Sequence, residues 1–183
     1  MTRNEALPTV VSVSRDDRHR FSKPTVNEIR LVEGHGVEGD SHAGVTTRHR
    51  FLVKNDPTRP NLTQVHLIQA ELFDELEGFT VTPGELGENV TTRGLDLMRL
   101  PLGARLHLGP DAIVEITGMR SPCSSINGFR QGLMKALVTT DAAGRPERRA
   151  GVMGVVARNG TIRAGDAIRV ELPSGVRHPL GVV

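Results

Sequence analysis

Glycine sets the limits on what this chain can fold into. Twenty glycines and eleven prolines divide its 183 residues into short runs, and most of those runs read as strands. Residues 9–13 (Thr-Val-Val-Ser-Val) are strand-like, and residues 28–32 (Glu-Ile-Arg-Leu-Val) alternate with a period of two. Residues 104–108 put Ala104, Leu106 and Leu108 on one face, and residues 112–117 do the same with Ala112, Val114 and Ile116. Gly109, Pro110 and Asp111 between them predict a hairpin turn. Residues 151–157 and 167–172 add two strands, with a tight turn expected at Asn159-Gly160. One long segment has helical spacing, Val65, Ile68, Leu72 and Leu76, which predicts a peripheral helix over 64–77. Asn61 or Thr63 would be its N-cap, and Gly78 lies beyond its end. A shorter helix is expected over 131–138. The expectation is a mainly β chain with a few helices, an α+β fold of the β-rich barrel type with its helices at the periphery.

A chain of this length is expected to form one domain over 1–183, with a core at about 10–172 and a tail at 173–183. Hydrophobic residues are 37% and charged residues 24%, ordinary values for a folded soluble chain rather than a disordered one. No apolar run approaches the roughly 20 residues of a membrane span. The N-terminus lacks a secretory apolar stretch, and a lone cysteine, Cys123, fits a reducing compartment. The expected location is the cytoplasm, with no membrane partner.

Phenylalanine is the only large aromatic residue, at five copies with no Trp or Tyr, so stacking platforms for single-stranded nucleic acid are disfavoured. The net charge of +2 gives no general attraction to DNA. Charge is nevertheless segregated. Arg48, Arg50, Lys54 and Arg59 face a single acid, Asp56, whereas residues 60–92 contain Glu71, Asp74, Glu75, Glu77, Glu85 and Glu88 and no Lys or Arg. Such polarity fits either two oppositely charged solvated faces or a cationic site for a small anion.

Three polar segments stand out: residues 33–44, residues 83–89, and Arg120-Ser-Pro-Cys-Ser-Ser125. Pro122 stiffens the corner that carries Cys123, Arg120 favours a thiolate, and Ser124 and Ser125 offer hydroxyl and N–H groups. The thiol then serves as nucleophile, sulfur carrier or soft metal ligand, unless it is a buried and inert cysteine. His35, Asp40 and His42, with His49 or His66, could ligate a metal; alternatively Asp40 caps a turn and His42 bonds within the loop. His66 falls beside the apolar stripe of the expected helix. Gly34, Gly36 and Gly39 match GxGxxG, but no helical pattern follows, which rules out the dinucleotide reading.

Taken in order, residues 36–44 (GVEGDSHAG), 64–68 (QVHLI), 83–90 (PGELGENV), 100–103 (LPLG), 114–123 (VEITGMRSPC), Gly151-Val152 and Gly165-Asp166 resemble the MOSC family, the family of the C-terminal domain of molybdenum cofactor sulfurase. The resemblance spans about residues 10–172 and implies a closed, mixed β-barrel similar to the pyruvate kinase barrel domain. It also implies that Cys123 ligates molybdenum or carries sulfane sulfur. Arg120, Asn89, Glu88, Gly87, Asp40, His42, Arg48, Arg50 and Ser124 become candidates for holding an anionic molybdenum–pterin cofactor. The implied reaction is reduction of N-hydroxylated compounds or sulfur transfer; the alternative is a non-catalytic module that stores or delivers the cofactor. The chain has no flavin, haem or iron–sulfur motif, so reduction requires an external electron donor. Any pyridoxal phosphate belongs to a partner such as a cysteine desulfurase, because this chain does not hold the pyridoxal-phosphate domain of the sulfurases.

Overall fold

The computed structural model describes residues 7–48 and 50–183, with the backbone alone at 50–52. In chain order the elements are β1 (Thr9–Ser14), β2 (Thr25–Val26), β3 (Glu28–Val32), β4 (Gly36–Val37), α1 (Arg50–Asn55), β5 (Val65–Gln69), α2 (Glu71–Glu75) and β6 (Val90–Arg93). A 3₁₀ turn (Leu97–Arg99) precedes β7 (Arg105–Leu108), β8 (Ala112–Met119), α3 (Ser124–Phe129) and α4 (Leu133–Ala136). The chain continues through β9 (Val138–Thr140), β10 (Pro146–Arg148), β11 (Val152–Arg158), β12 (Gly160–Arg163) and β13 (Ile168–Glu171).

The chain is mainly β with few helices, but the expected closed barrel is not formed. The large sheet is open, in the order β13-β7-β8-β11-β5-β6-β1-β2, and β3, β4 and β12 form a separate three-stranded sheet. An isolated bridge, Thr9 to Ala167, brings β1 near the start of β13, yet no ladder follows it. The turn at Gly165-Asp166 occupies that seam: Val10 N–H donates to Asp166 O and Gly165 N–H donates to Val10 O, each at 2.8 Å, while the Asp166 carboxylate accepts from Arg163 N–H at 2.8 Å. Closure depends on which edge groups are already engaged, and hydrophobic alternation carries no information about that.

The hairpin of β7 and β8 forms as expected, with Leu108 opposite Ala112 across the turn. The expected turn at Asn159-Gly160 does not join two strands of one sheet. It passes the chain from β11 to β12, which pairs with β3. Asn159 Oδ1 accepts from Glu33 N–H at 2.7 Å, and Gly160 lies so close to Ala112 that a Cβ there would meet its backbone N at 2.5 Å.

Residues 64–77 are not one helix. They form β5, a turn at Ala70 and the single short helix α2. β5 lies between β11, antiparallel, and β6, parallel, and is buried on both faces. Val65 and Leu67 enter the main core while Ile68 enters a second cluster with Leu72, Leu76, Leu86 and Ile126. A strand buried on both sides loses its alternation, so its apolar run can match a helical template by coincidence. The parallel pairing of β5 and β6 requires a crossover, which α2 and residues 76–89 supply. Within the expected second helix only Leu133–Ala136 is helical. Among the described residues no helix is long and apolar enough to cross a membrane.

Candidate functional site

The crossover before β6, the loop before α1 and the corner after β8 meet at one cleft. Asp40 is the buried point at which the first two are joined. Its Oδ2 accepts from Asn89 Nδ2 at 3.0 Å and from Asp16 N–H at 3.3 Å, and lies 2.8 Å from Lys23 Nζ. Its Oδ1 accepts from His42 N–H at 2.9 Å, the turn-capping arrangement. Burial opposes the charge on Asp40, but the hydrogen bond from His42 and the Lys23 ammonium outweigh it and hold the carboxyl well below the usual range. Burial also pulls Lys23 down, against the opposing pull of Asp40. Both side chains are almost fully buried, so each depends on the other for its charge.

Asn89 is held on three sides. Nδ2 also donates to Ser14 O at 3.1 Å, and Oδ1 accepts from His66 N–H at 3.2 Å. His66 is buried on β5, and its Nε2 donates to Ala150 O at 2.8 Å. Burial, with the charges of Arg120 and Lys23, pushes His66 well below the ordinary imidazole value, so the ring is neutral. Glu88 lies one layer deeper. Its Oε1 accepts from Gly84 N–H at 2.6 Å and from the Thr91 hydroxyl at 3.0 Å, and burial raises it.

The corner after β8 carries the thiol. Cys123 is exposed, in extended conformation immediately before α3, and Ile126 anchors that helix in the second cluster. Partial burial pushes the thiol up, but hydrogen bonds from the Ser125 hydroxyl and N–H, then the Arg120 charge, more than reverse this and favour the thiolate. Arg120 is pinned in turn: Nη1 donates to Leu86 O at 2.6 Å, and the guanidinium lies 5.7 Å from the Phe21 ring centroid.

These groups border a cleft of about 460 Å³. Arg20, Lys23, Arg59 and Arg120 make its lining cationic; His42, His66, Asn89 and Gly87 face it; Cys123, Ser125, Met153 and Val183 complete its wall. Of the candidate residues, Cys123, Arg120, Asn89, Gly87 and His42 therefore border one cavity, with Asp40 and Glu88 packed behind them. Ser124 opens α3 without lining the cleft, and Arg48 turns to the carbonyl of Ala43 at 3.3 Å. His49 and the side chain of Arg50 lie outside the described residues. His35 is exposed, and among the described residues no group of three or more His, Cys, Asp or Glu side chains could hold a metal ion. Arg20, Lys23, Met153 and Val183 escaped the sequence reading. They come from three separate segments, the stretch between β1 and β2, β11 and residues 180–183, and only tertiary packing brings these together.

The family model described as MOSC domain matches residues 47–169, about two thirds of the chain. The chain belongs to the MOSC family. Solved structures support the same fold. The YuaD protein of Bacillus subtilis superposes with a TM-score of 0.75 at 21% identity, covering 92% of this chain and 98% of that one. YiiM from Geobacillus stearothermophilus gives 0.61 at 20% identity, covering 90% of this chain and 75% of that one. YiiM from Escherichia coli gives 0.54 at 18%, covering 93% and 73%. No curated protein matches the sequence. At these identities the solved neighbours speak for the fold alone.

Proposed function

We propose that this MOSC protein binds a molybdenum–pterin cofactor in the cationic cleft, with the Cys123 thiolate as its soft protein ligand. The observation that carries the reading is the convergence of an exposed, activated thiol with four basic side chains on one cavity. The residues present suit such a group. A thiolate is the donor that soft, thiophilic metals select, and guanidinium and ammonium groups suit a phosphate. Arg59 and Arg120 would hold the phosphate, whereas Arg20 and Lys23 are already paired with Asp16 and Asp40 and offer the ligand hydrogen-bond donors more than free charge. When bound, the cofactor would supply two-electron redox chemistry, as in reduction of an N-hydroxylated compound fed by an external electron donor.

The exposure of Cys123 supports a second reading, in which the same thiolate carries sulfane sulfur received from a cysteine desulfurase. Native mass spectrometry with element analysis, on protein from a cofactor-competent host, separates the two. Bound molybdenum and pterin that disappear in Cys123→Ser support the first reading. A mass increase of one sulfur on Cys123 without molybdenum supports the second. Neither species in the wild-type protein defeats both. Turnover of an N-hydroxylated base with reduced dye then distinguishes a reductase from a storage or delivery module.

A further inference from the structure

One wall of the cleft comes from a segment outside the sequence motifs. Met153 on β11 pairs with His66 on β5 and with Gly118 on β8, so the three lie in one row across the sheet. Side chains in such a row emerge on one face. His66 and Met153 border the cleft, and the third position has no side chain. Val183 fills that gap: a Cβ on Gly118 would lie 2.6 Å from Val183 Cγ1 and 2.7 Å from Gly181 O. Gly118 is not in the left-handed region, so packing alone explains its missing side chain.

The segment that delivers Val183 is fixed at several points. Met119 N–H donates to Gly181 O at 2.7 Å, Val183 N–H donates to Met119 O at 3.2 Å, and Leu180 is buried in the main core. The same strand end leads directly into Arg120 and the Cys123 corner. Val183 and Met153 thereby form an apolar wall in a cavity whose other side is cationic.

We propose that Val183 is a specificity-determining residue, limiting the bulk of the group that can stand beside the Cys123 thiol and favouring a small apolar one. The anionic part of the same ligand is left to Arg59 and Arg120. This rests on the reading of the Cys123 cleft as the ligand site.

The test is alkylation of Cys123 in the full chain by a small reagent, iodoacetamide, and a bulky one, N-pyrenylmaleimide. Val183→Ala should raise the bulky-to-small rate ratio on the order of tenfold and Val183→Phe should lower it, the scale on which apolar pockets discriminate size. Gly118→Ala, which displaces Val183, should shift the ratio in the same direction as Val183→Ala. Iodoacetamide rates should stay within about twofold, because the thiolate itself is untouched. A ratio unchanged in both Val183 variants overturns the proposal. Element analysis of the same preparations is independent of it: a shifted ratio without molybdenum or sulfane sulfur keeps the Val183 wall and removes the cofactor reading.

Discussion

Asn89 donates its side-chain amide to Asp40 Oδ2 at 3.0 Å, tying together two glycine-rich loops that are 49 residues apart in sequence. The same amide reaches Ser14 O, and its carbonyl oxygen accepts from His66 N–H, so one side chain joins both loops to β1 and β5. Asn89→Ala would leave three buried groups short of a partner, one of them a carboxylate. The expected cost is about 3 kcal/mol of stability, from one to three per unsatisfied group with partial relaxation. Urea denaturation measures it; a midpoint equal to wild type would show that the loops do not depend on this contact.

His66 makes the site acid-sensitive. Its folded value is depressed below 6.5 by burial first and then by Arg120 and Lys23. The unfolded chain therefore binds a proton before the folded one does, and stability falls as pH drops below about 6.5. Glu88, raised by burial, acts in the opposite sense over part of the same range. The informative quantity is accordingly the difference between proteins. Between pH 7 and pH 5, above the range in which Asp16 and Asp40 titrate, wild type should lose stability more steeply than His66→Gln. Parallel curves would mean that the imidazole is not held neutral.

How much of this was legible in sequence depended on how many faces an element shows to solvent. β8 has one buried face and alternates cleanly, so its pattern and its hairpin with β7 could be read directly. β5 is buried on both faces, so its apolar run fits a helical spacing as well as a strand. Barrel closure was implied by the family resemblance, but it turns on edge hydrogen bonds around Gly165-Asp166, which no side-chain pattern records. The site shows the same division. The Pro122-Cys123 corner announces itself by residue type, whereas Lys23 and Val183 matter only through neighbours distant in the chain.

The thiolate at Cys123 is favoured more by Ser125 than by Arg120, since the Ser125 hydroxyl and N–H are the leading groups that lower it. Ser125→Ala should slow iodoacetamide alkylation at pH 7 several-fold and move its pH profile upward, and Arg120→Gln should do so to a smaller degree. The reverse order would make the guanidinium the main activator. An unchanged profile in both would leave the thiol with ordinary reactivity.

The cleft also predicts which basic residues recognise an anion. Arg59 borders the cavity and has no ion pair or side-chain hydrogen bond among the described residues, whereas Arg48 bonds to Ala43 O and stands outside it. Both are exposed and lie on the same basic segment, so net charge alone would make them equivalent. If the cavity binds phosphate, inorganic phosphate should protect Cys123 from alkylation, and Arg59→Ala should weaken that protection while Arg48→Ala leaves it intact. A lost charge-assisted hydrogen bond is worth about 1.5–3 kcal/mol, so the half-protecting concentration should rise at least about tenfold in Arg59→Ala. Added chloride should erode protection in both remaining proteins to the same extent, because a solvent-facing cationic site is screened by salt. Equal losses in the two variants would assign the effect to the charge of the whole segment, and full protection in both would leave Arg120, Lys23 and the backbone N–H groups of the Cys123 corner as the anion's partners.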